Sequence, residues 1–398
     1  MKRLFPIFFL LIISVSTCID PFYLELDDYE SLLVIEGMIT DERASHTIKL
    51  SRTFQNEDTP PVMVTGAEVS VHDETGGIAQ FQEFEPGIYK SDSTQFISRV
   101  EGSYTLYIKT EDGLEFSSEE CTMTAVPGID SLYYEVDSEF FDHGTVEDQG
   151  IRIFLDVENR EEACQYFRWD YEEVWKFYVP HPIEDRYTGP HEYESIPVEN
   201  HICWGHSLSK EILIHSATEK KNSDQISRKQ LLFIASGRSN RLQWQYYIHV
   251  RQYSISLQEF EYWKNLKELT ENTGGLFEKQ PFPTLGNIRC INNEHEKVLG
   301  YFQVSAKKSV EMYISHSQIK ELDIPSYEYP CKIIPVAREN MFDLSYRVLL
   351  NQGYLFYKYG QYDAWGESQY AFLFTDAECA DCSLTGDPER PDFWEDLE

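Results

Sequence analysis

The chain has 398 residues, and 68 acidic against 34 basic side chains give it a formal net charge of −34. That balance excludes a phosphate-tracking nucleic-acid binder, whose affinity comes from Lys and Arg displacing counterions, and it excludes electrostatic docking on anionic lipid. With 41% hydrophobic and 14% aromatic residues the chain is too apolar for a disordered acidic tail, and its length leaves room for two or three domains.

The first element is a leader. Lys2 and Arg3 precede an almost wholly apolar run from Leu4 to Val15. That run is too short for a helix spanning the bilayer, which needs about 20 residues, but it fits the apolar centre of an export signal. Ser16 and Thr17 then meet Cys18, the position of the lipidated cysteine in a bacterial lipoprotein. The expectation is a cleaved signal over residues 1–17, lipid on Cys18 and an acidic tether over 18–30. The alternative is an ordinary cleaved signal with an incidental cysteine. Removing the leader takes away two positive charges and no acid, which sharpens the imbalance.

Strand signals follow. "LLVIEGMI", "SHTIKLSRT" and "VTGAEVSVHD" lead into turns at Glu74–Gly77, Glu85–Gly87 and Glu111–Gly113. "GSYTLYIKT" places Tyr104, Leu106 and Ile108 on one face. Short alternating strands with Gly-rich turns predict an Ig-like β-sandwich over 31–126, ending where Pro and Gly interrupt the pattern at Ala125–Asp130. Residues 127–398 read as a larger β-rich domain. Its strands are "SLYYEV", "GIRIFLDVEN", "CQYFRWDYEEVWKFYV", "KEILIHS", "KQLLFIAS" and "LQWQYYIHVRQYSI", with a loop-rich stretch over 180–205. One helix is predicted near 257–271: Ser256 and Glu259 form a capping box, Leu257, Phe260, Trp263, Leu266 and Leu269 recur at helical spacing, and Gly274-Gly275 ends the run. "VLGYFQVSA" and "SVEMYIS" read as a strand pair. The fold class is mainly β.

Eight cysteines accompany the export signal; with Cys18 lipidated, seven remain, so at least one is unpaired within the chain. An oxidising compartment favours disulfides among Cys203, Cys290, Cys331, Cys379 and Cys382. Spacing does not fix connectivity; Cys331 with Cys382 and Cys203 with Cys290 are the working pairs. Cys379-Ala-Asp-Cys382 lacks a second CxxC or HxxxH for zinc, and it lies in a polar stretch rather than at the helix start a thioredoxin-like site requires.

Catalytic motifs are absent: the sequence has no GxSxG elbow, no HExxH and no phosphate-binding Gly-rich loop. Acidic pairs such as Asp27-Asp28, Glu119-Glu120 and Glu161-Glu162 are expected by chance at this acidity. His201, Cys203 and His206 in "HICWGH" are better read as a disulfided loop than as a metal site. Asp137–Gly150 reads as a solvated acidic loop matching no calcium-binding pattern. No metal, cofactor or catalytic residue is implied. Most aromatics lie in strand-like runs; the loop exceptions are Tyr187, Tyr193, Trp204, Tyr359, Tyr362, Trp365 and Trp394. "YGQYDAWGESQY", with Tyr359, Tyr362 and Trp365, is the most site-like contact surface.

The segments "SLLVIEGMIT", "GAEVSVHD", "GSYTLYIKTEDG", "VPGIDSLYYEV", "VRQYSISLQEFEYWKNLKELTENTGGLFEKQPFPTLGNIRC" and "CADCSLTGDPERPDFW" resemble, in order, the Bacteroidota surface lipoproteins of domain-of-unknown-function family 4249. Thr385-Gly386 replaces the "GG" common there. The resemblance implies an outer-membrane lipoprotein with a carboxypeptidase-regulatory-like sandwich at its N-terminus, encoded beside a TonB-dependent receptor-like β-barrel. Asp20 fits the acidic surface-export signal of that group, whereas Pro21, Phe22 and Tyr23 depart from it. The functional expectation is a non-enzymatic, lipid-anchored, surface-facing protein that partners such a barrel in ligand capture or uptake. A structural or adhesive module without small ligand and a secreted hydrolase are the alternatives.

Overall fold

The computed structural model describes residues 31–53, 60–141, 144–158, 164–219, 225–271, 284–322, 325–364 and 367–397. The protein is mainly β, with several sheets and three helices among these residues. The first sheet has eleven strands. Its path runs from Ile288–Cys290 through Glu115–Ser118, Ser103–Lys109, Glu68–Asp73, Ile78–Glu85, Ile88–Ser91, Thr47–Arg52 and Leu33–Thr40 to Val298–Ser305. Alternation puts Ile48 and Leu50, Val69 and Val71, and Leu106 and Ile108 on its buried face, where they share one core. Two strands come from far beyond the expected 31–126 unit: Ile288–Cys290 pairs antiparallel with Glu115–Ser118, and Val298–Ser305 pairs parallel with Leu33–Thr40. Sequence pattern predicts a strand but not its edge partner, so the boundary near Ala125 does not delimit the sheet.

Those late strands bring the two ends of the sheet together. Asn287 is buried, and its side-chain amide acts as a substitute peptide group. Nδ2 donates to the Phe302 carbonyl at 2.9 Å, and Oδ1 accepts from the Phe302 N–H, also at 2.9 Å. Gly286 and Gly300 permit the approach: a Cβ on Gly286 would lie 1.7 Å from the Gly300 carbonyl oxygen. Gly300 has φ +98°, and a Cβ there would lie 1.9 Å from the Ile35 carbonyl oxygen.

A central sheet orders Ile202–Leu208, Tyr166–Tyr178, Gln245–Ser254 and Lys307–Ser315, with Leu213–Ser216 also paired to Tyr166–Tyr178. Beside it lies a three-stranded sheet of Ser131–Phe141, Val146–Glu158 and Gln225–Ala235. Phe167, Trp169 and Tyr246 of the central sheet and Ile151, Ile153 and Leu232 of its neighbour join the core of the first sheet. The expected acidic loop Asp137–Gly150 is largely hairpin instead, with Arg152 gripping Asp137 and Glu139 at 2.6 and 2.9 Å and Arg238 paired with Asp148. The expected loop 180–205 contains the hairpin Asp185–Gly189/Glu192–Ser195, turned at His191 (φ +67°), and the start of Ile202–Leu208. In both places cross-strand pairing overrides a loop-like composition.

The C-terminal layer is a sheet of Ile333–Ala337, Glu367–Asp376 and Tyr354–Ala364 with a helix, Asp343–Asn351, beside it. It is stapled by Cys203–Cys382 and Cys331–Cys379, with Cα separations of 5.7 and 6.1 Å. The working pairs Cys331–Cys382 and Cys203–Cys290 are therefore corrected. Cys379 ends one short turn and Cys382 begins the next, and they diverge to different partners, while Cys290 is held in the first sheet opposite Phe116. Among the described residues, Cys121 and Cys290 form no disulfide. Trp394, read as a loop aromatic, is buried against Val174 and Tyr247.

Candidate functional site

Strand Tyr166–Tyr178 alternates: Phe167, Trp169 and Tyr171 are buried in the core, and Arg168, Asp170 and Glu172 project from the opposite face. The parallel pair Leu33–Thr40 and Val298–Ser305 presents Val34, Glu36 and Met38 beside Leu299, Tyr301 and Gln303. Helix α1, Leu257–Glu271, lies across this surface. Between them opens a cleft of about 640 Å³, in the range of ligand sites, whose walls include Tyr262, Trp263, Leu266 and Leu269. A second cavity of about 290 Å³, lined by Asp170, Arg251 and Lys210, shares Arg168 and Trp263 with the first.

Arg168 thus stands at the junction. Its Nη1 donates to Gln303 Oε1 at 2.8 Å and its Nη2 to Asp170 Oδ2 at 3.2 Å. Trp263 and Tyr253 contact the guanidinium plane at 4.6 and 5.3 Å from their ring centroids, which holds the fork in one orientation. Asp170 is also bound by Arg251. These contacts use two of the five guanidinium N–H groups of Arg168.

The α1 cap differs from the sequence expectation. Ser256 Oγ accepts from the Glu259 N–H at 3.1 Å, as a cap should, but the Glu259 carboxylate accepts from Trp263 Nε1 at 3.1 Å and faces inward. Glu259 is 2% exposed whereas Leu257, placed on the apolar stripe, is 51% exposed. Burial pushes the Glu259 carboxyl up to about 7, against the opposing pull of Arg168. The site therefore combines an apolar cleft and one oriented guanidinium, with the Glu259 carboxyl buried behind them. Sequence reading missed Arg168. The available signal was the regular interleaving of Arg168, Asp170 and Glu172 with Phe167, Trp169 and Tyr171 in a single strand.

Of the sequence-predicted contact residues, Tyr359 and Tyr362 lie on opposite faces of their strand. Tyr359 stacks on Tyr193 at 4.8 Å and on the exposed Tyr370 at 6.0 Å, and its N–H donates to Asp185 at 2.7 Å. Tyr362 packs on the other side of the sheet, near Tyr357 and Leu373. An odd separation in a strand puts two side chains on opposite faces. Trp365, like Cys18, lies outside the described residues. His206 pairs with Glu172 at 2.8 Å rather than joining His201 and Cys203. Among the described residues, no three His, Cys, Asp or Glu side chains gather in a group fit to hold a metal ion.

The arrangement is that of a curled β body with a helix-covered cleft and a disulfide-stapled C-terminal layer. Residues 19–311 match the family model described as Domain of unknown function (DUF4249), and the chain belongs to that family. No curated protein matches the sequence.

Proposed function

We propose that the protein is a lipid-anchored outer-membrane protein of the Bacteroidota type, displayed at the cell surface. In this reading it works without enzymatic activity, beside a TonB-dependent receptor-like barrel, in ligand capture or uptake. The observation that carries the reading is the leader: a short apolar run, Leu4 to Val15, is followed closely by Cys18, and the family match begins at the next residue, 19. Two disulfide pairs agree with an exported protein, since such bonds persist in oxidising compartments. The cleft beneath α1 supports the capture role by offering a concave, mostly apolar place for a small ligand. With so negative a body, attachment to an anionic bilayer would rest on acyl chains and a specific partner rather than on charge.

Metabolic labelling with a palmitate analogue tests the anchor. The expected result is label on the wild-type protein and none on Cys18→Ala; label that survives the substitution refutes the anchor. Affinity capture from solubilised outer membranes tests the partner, with co-recovery of a β-barrel protein expected and its absence counting against the receptor role.

A further inference from the structure

We propose that the cleft beneath α1 binds a linear amphiphile bearing a carboxylate, with its chain against Val34, Met38, Leu266, Leu269 and Leu299 and its carboxylate on Arg168. The inference supplies a ligand class for the capture role above and rests on that reading only for its place in the cell.

Three observations carry it. First, the walls supplied by α1 and the parallel strand pair are largely aliphatic and aromatic, so an alkyl chain entering this open cleft exchanges water for apolar contact along its walls. Second, Arg168 is the one cationic side chain among the described residues that line the cleft, in a chain where acids outnumber bases two to one. Glu36, the acid on the cleft wall, is paired with Lys49 at 3.0 Å, so it does not neutralise Arg168. Third, the guanidinium is already oriented by Trp263, Tyr253, Gln303 and Asp170, so little rotamer freedom remains to be lost when a planar anion docks.

The neighbouring carboxyl groups decide the head group. Asp170 lies at 3.2 Å from Arg168, and Glu259 lies within its electrostatic reach. A dianionic phosphate would meet the Asp170 carboxylate at close range, whereas a carboxylate brings one charge and matches the fork. The smaller cavity beyond Arg168, with Lys210 and Arg251 on its wall, leaves room for water or polar substituents around the head group.

The test is calorimetric titration of the full chain carrying Cys18→Ala, which removes any attached lipid and separates this inference from the anchor. Dodecanoate is expected to bind saturably, and dodecanol and dodecyl phosphate each at least about tenfold more weakly, the loss expected when a charge-assisted contact is missing or opposed. Arg168→Gln should bring dodecanoate down to the dodecanol level, abolishing the difference between the two ligands. Leu266→Trp, which fills the cleft from the helix side, should weaken both and provides a second route if Arg168→Gln does not fold. No saturable binding of dodecanoate, equal binding of the alcohol, tighter binding of the phosphate, or indifference to Leu266→Trp would each overturn the proposal.

Discussion

The first sheet and the C-terminal layer solve the same problem by different means. Each must be fixed to segments distant in sequence: the first sheet takes in late strands from 288–305, whereas the C-terminal layer, its own strands all within 333–376, must be tied to the central sheet. The first sheet does so with close packing: Gly286 and Gly300 let backbones approach, and one buried amide, Asn287, completes hydrogen bonds that no adjacent strand supplies. The C-terminal layer has small, separate apolar clusters and is held covalently, with Cys382 tied to the central sheet and Cys379 to residue 331. A large shared core tolerates closure by directional bonds worth a few kcal/mol, whereas a thin layer gains more from limiting the unfolded chain.

The comparison can be broken most directly at the disulfides. Cys203 and Cys382 are 179 residues apart, and loop-closure entropy makes that bond worth about 5 kcal/mol; Cys331–Cys379, across 48 residues, is worth about 4. Guanidinium denaturation of the paired Ala variants should give losses in that order. Hydrogen exchange should meanwhile show protection retained in Glu68–Asp73 and Ser103–Lys109. Equal loss of protection in both regions would mean that the layer and the first sheet unfold as one unit.

At the seam, Asn287→Ala strands a buried N–H and a buried carbonyl of Phe302. Each stranded group costs about 1–3 kcal/mol, so a destabilisation of about 4 kcal/mol is expected in urea melts. A loss below about 1 kcal/mol would show that the sheet ends are held by packing alone.

Much of the architecture was legible from residue pattern. Alternation in "GAEVSVHD" and "GSYTLYIKT" marks strands because one face must be apolar, and Ser256 marks the start of α1 because its oxygen takes an orphan N–H. What pattern does not encode is partnership over long separations. Nothing local in "GNIRC" says that Asn287 will meet Phe302, or that Cys203 will choose Cys382 over Cys290. The candidate site was hidden for the same reason. Arg168, Glu259 and Gln303 come from three distant segments, and Glu259 matched a capping role well enough to conceal its burial beside Arg168. Tyr359 and Tyr362 looked like one cluster because their spacing was read as a loop, whereas an extended strand separates them onto two faces.

Glu259 yields the next prediction. Its folded carboxyl titrates at about 7 against an ordinary 4.5, so the native state binds the proton more tightly than the unfolded chain does. Below about 4.5 both states are protonated and the group costs nothing. As pH rises through 4.5 to 7 the native state loses stability, and above 7 the full penalty of up to about 3 kcal/mol remains. Glu259→Gln should therefore match the wild type in denaturation near pH 4.5 and exceed it by up to that amount at pH 8. A variant that is no more stable at pH 8 would show that Arg168 compensates the buried charge in full.

The smallest expected effect isolates what Ser256 contributes. In a full capping box the serine and the glutamate serve each other's backbone N–H, but here the Glu259 carboxylate is committed to Trp263, and only the serine bond to the Glu259 N–H serves the cap. Ser256→Ala should then cost about 1 kcal/mol, the usual loss for one N-cap oxygen. Because Ser256 anchors the helix end that carries Glu259 and Trp263, that loss should be accompanied by faster amide exchange in the first turn of α1. Protection in Val298–Ser305 should stay unchanged. If exchange instead rises throughout that strand, the helix is a structural part of the sheet closure rather than a separable cover over the cleft.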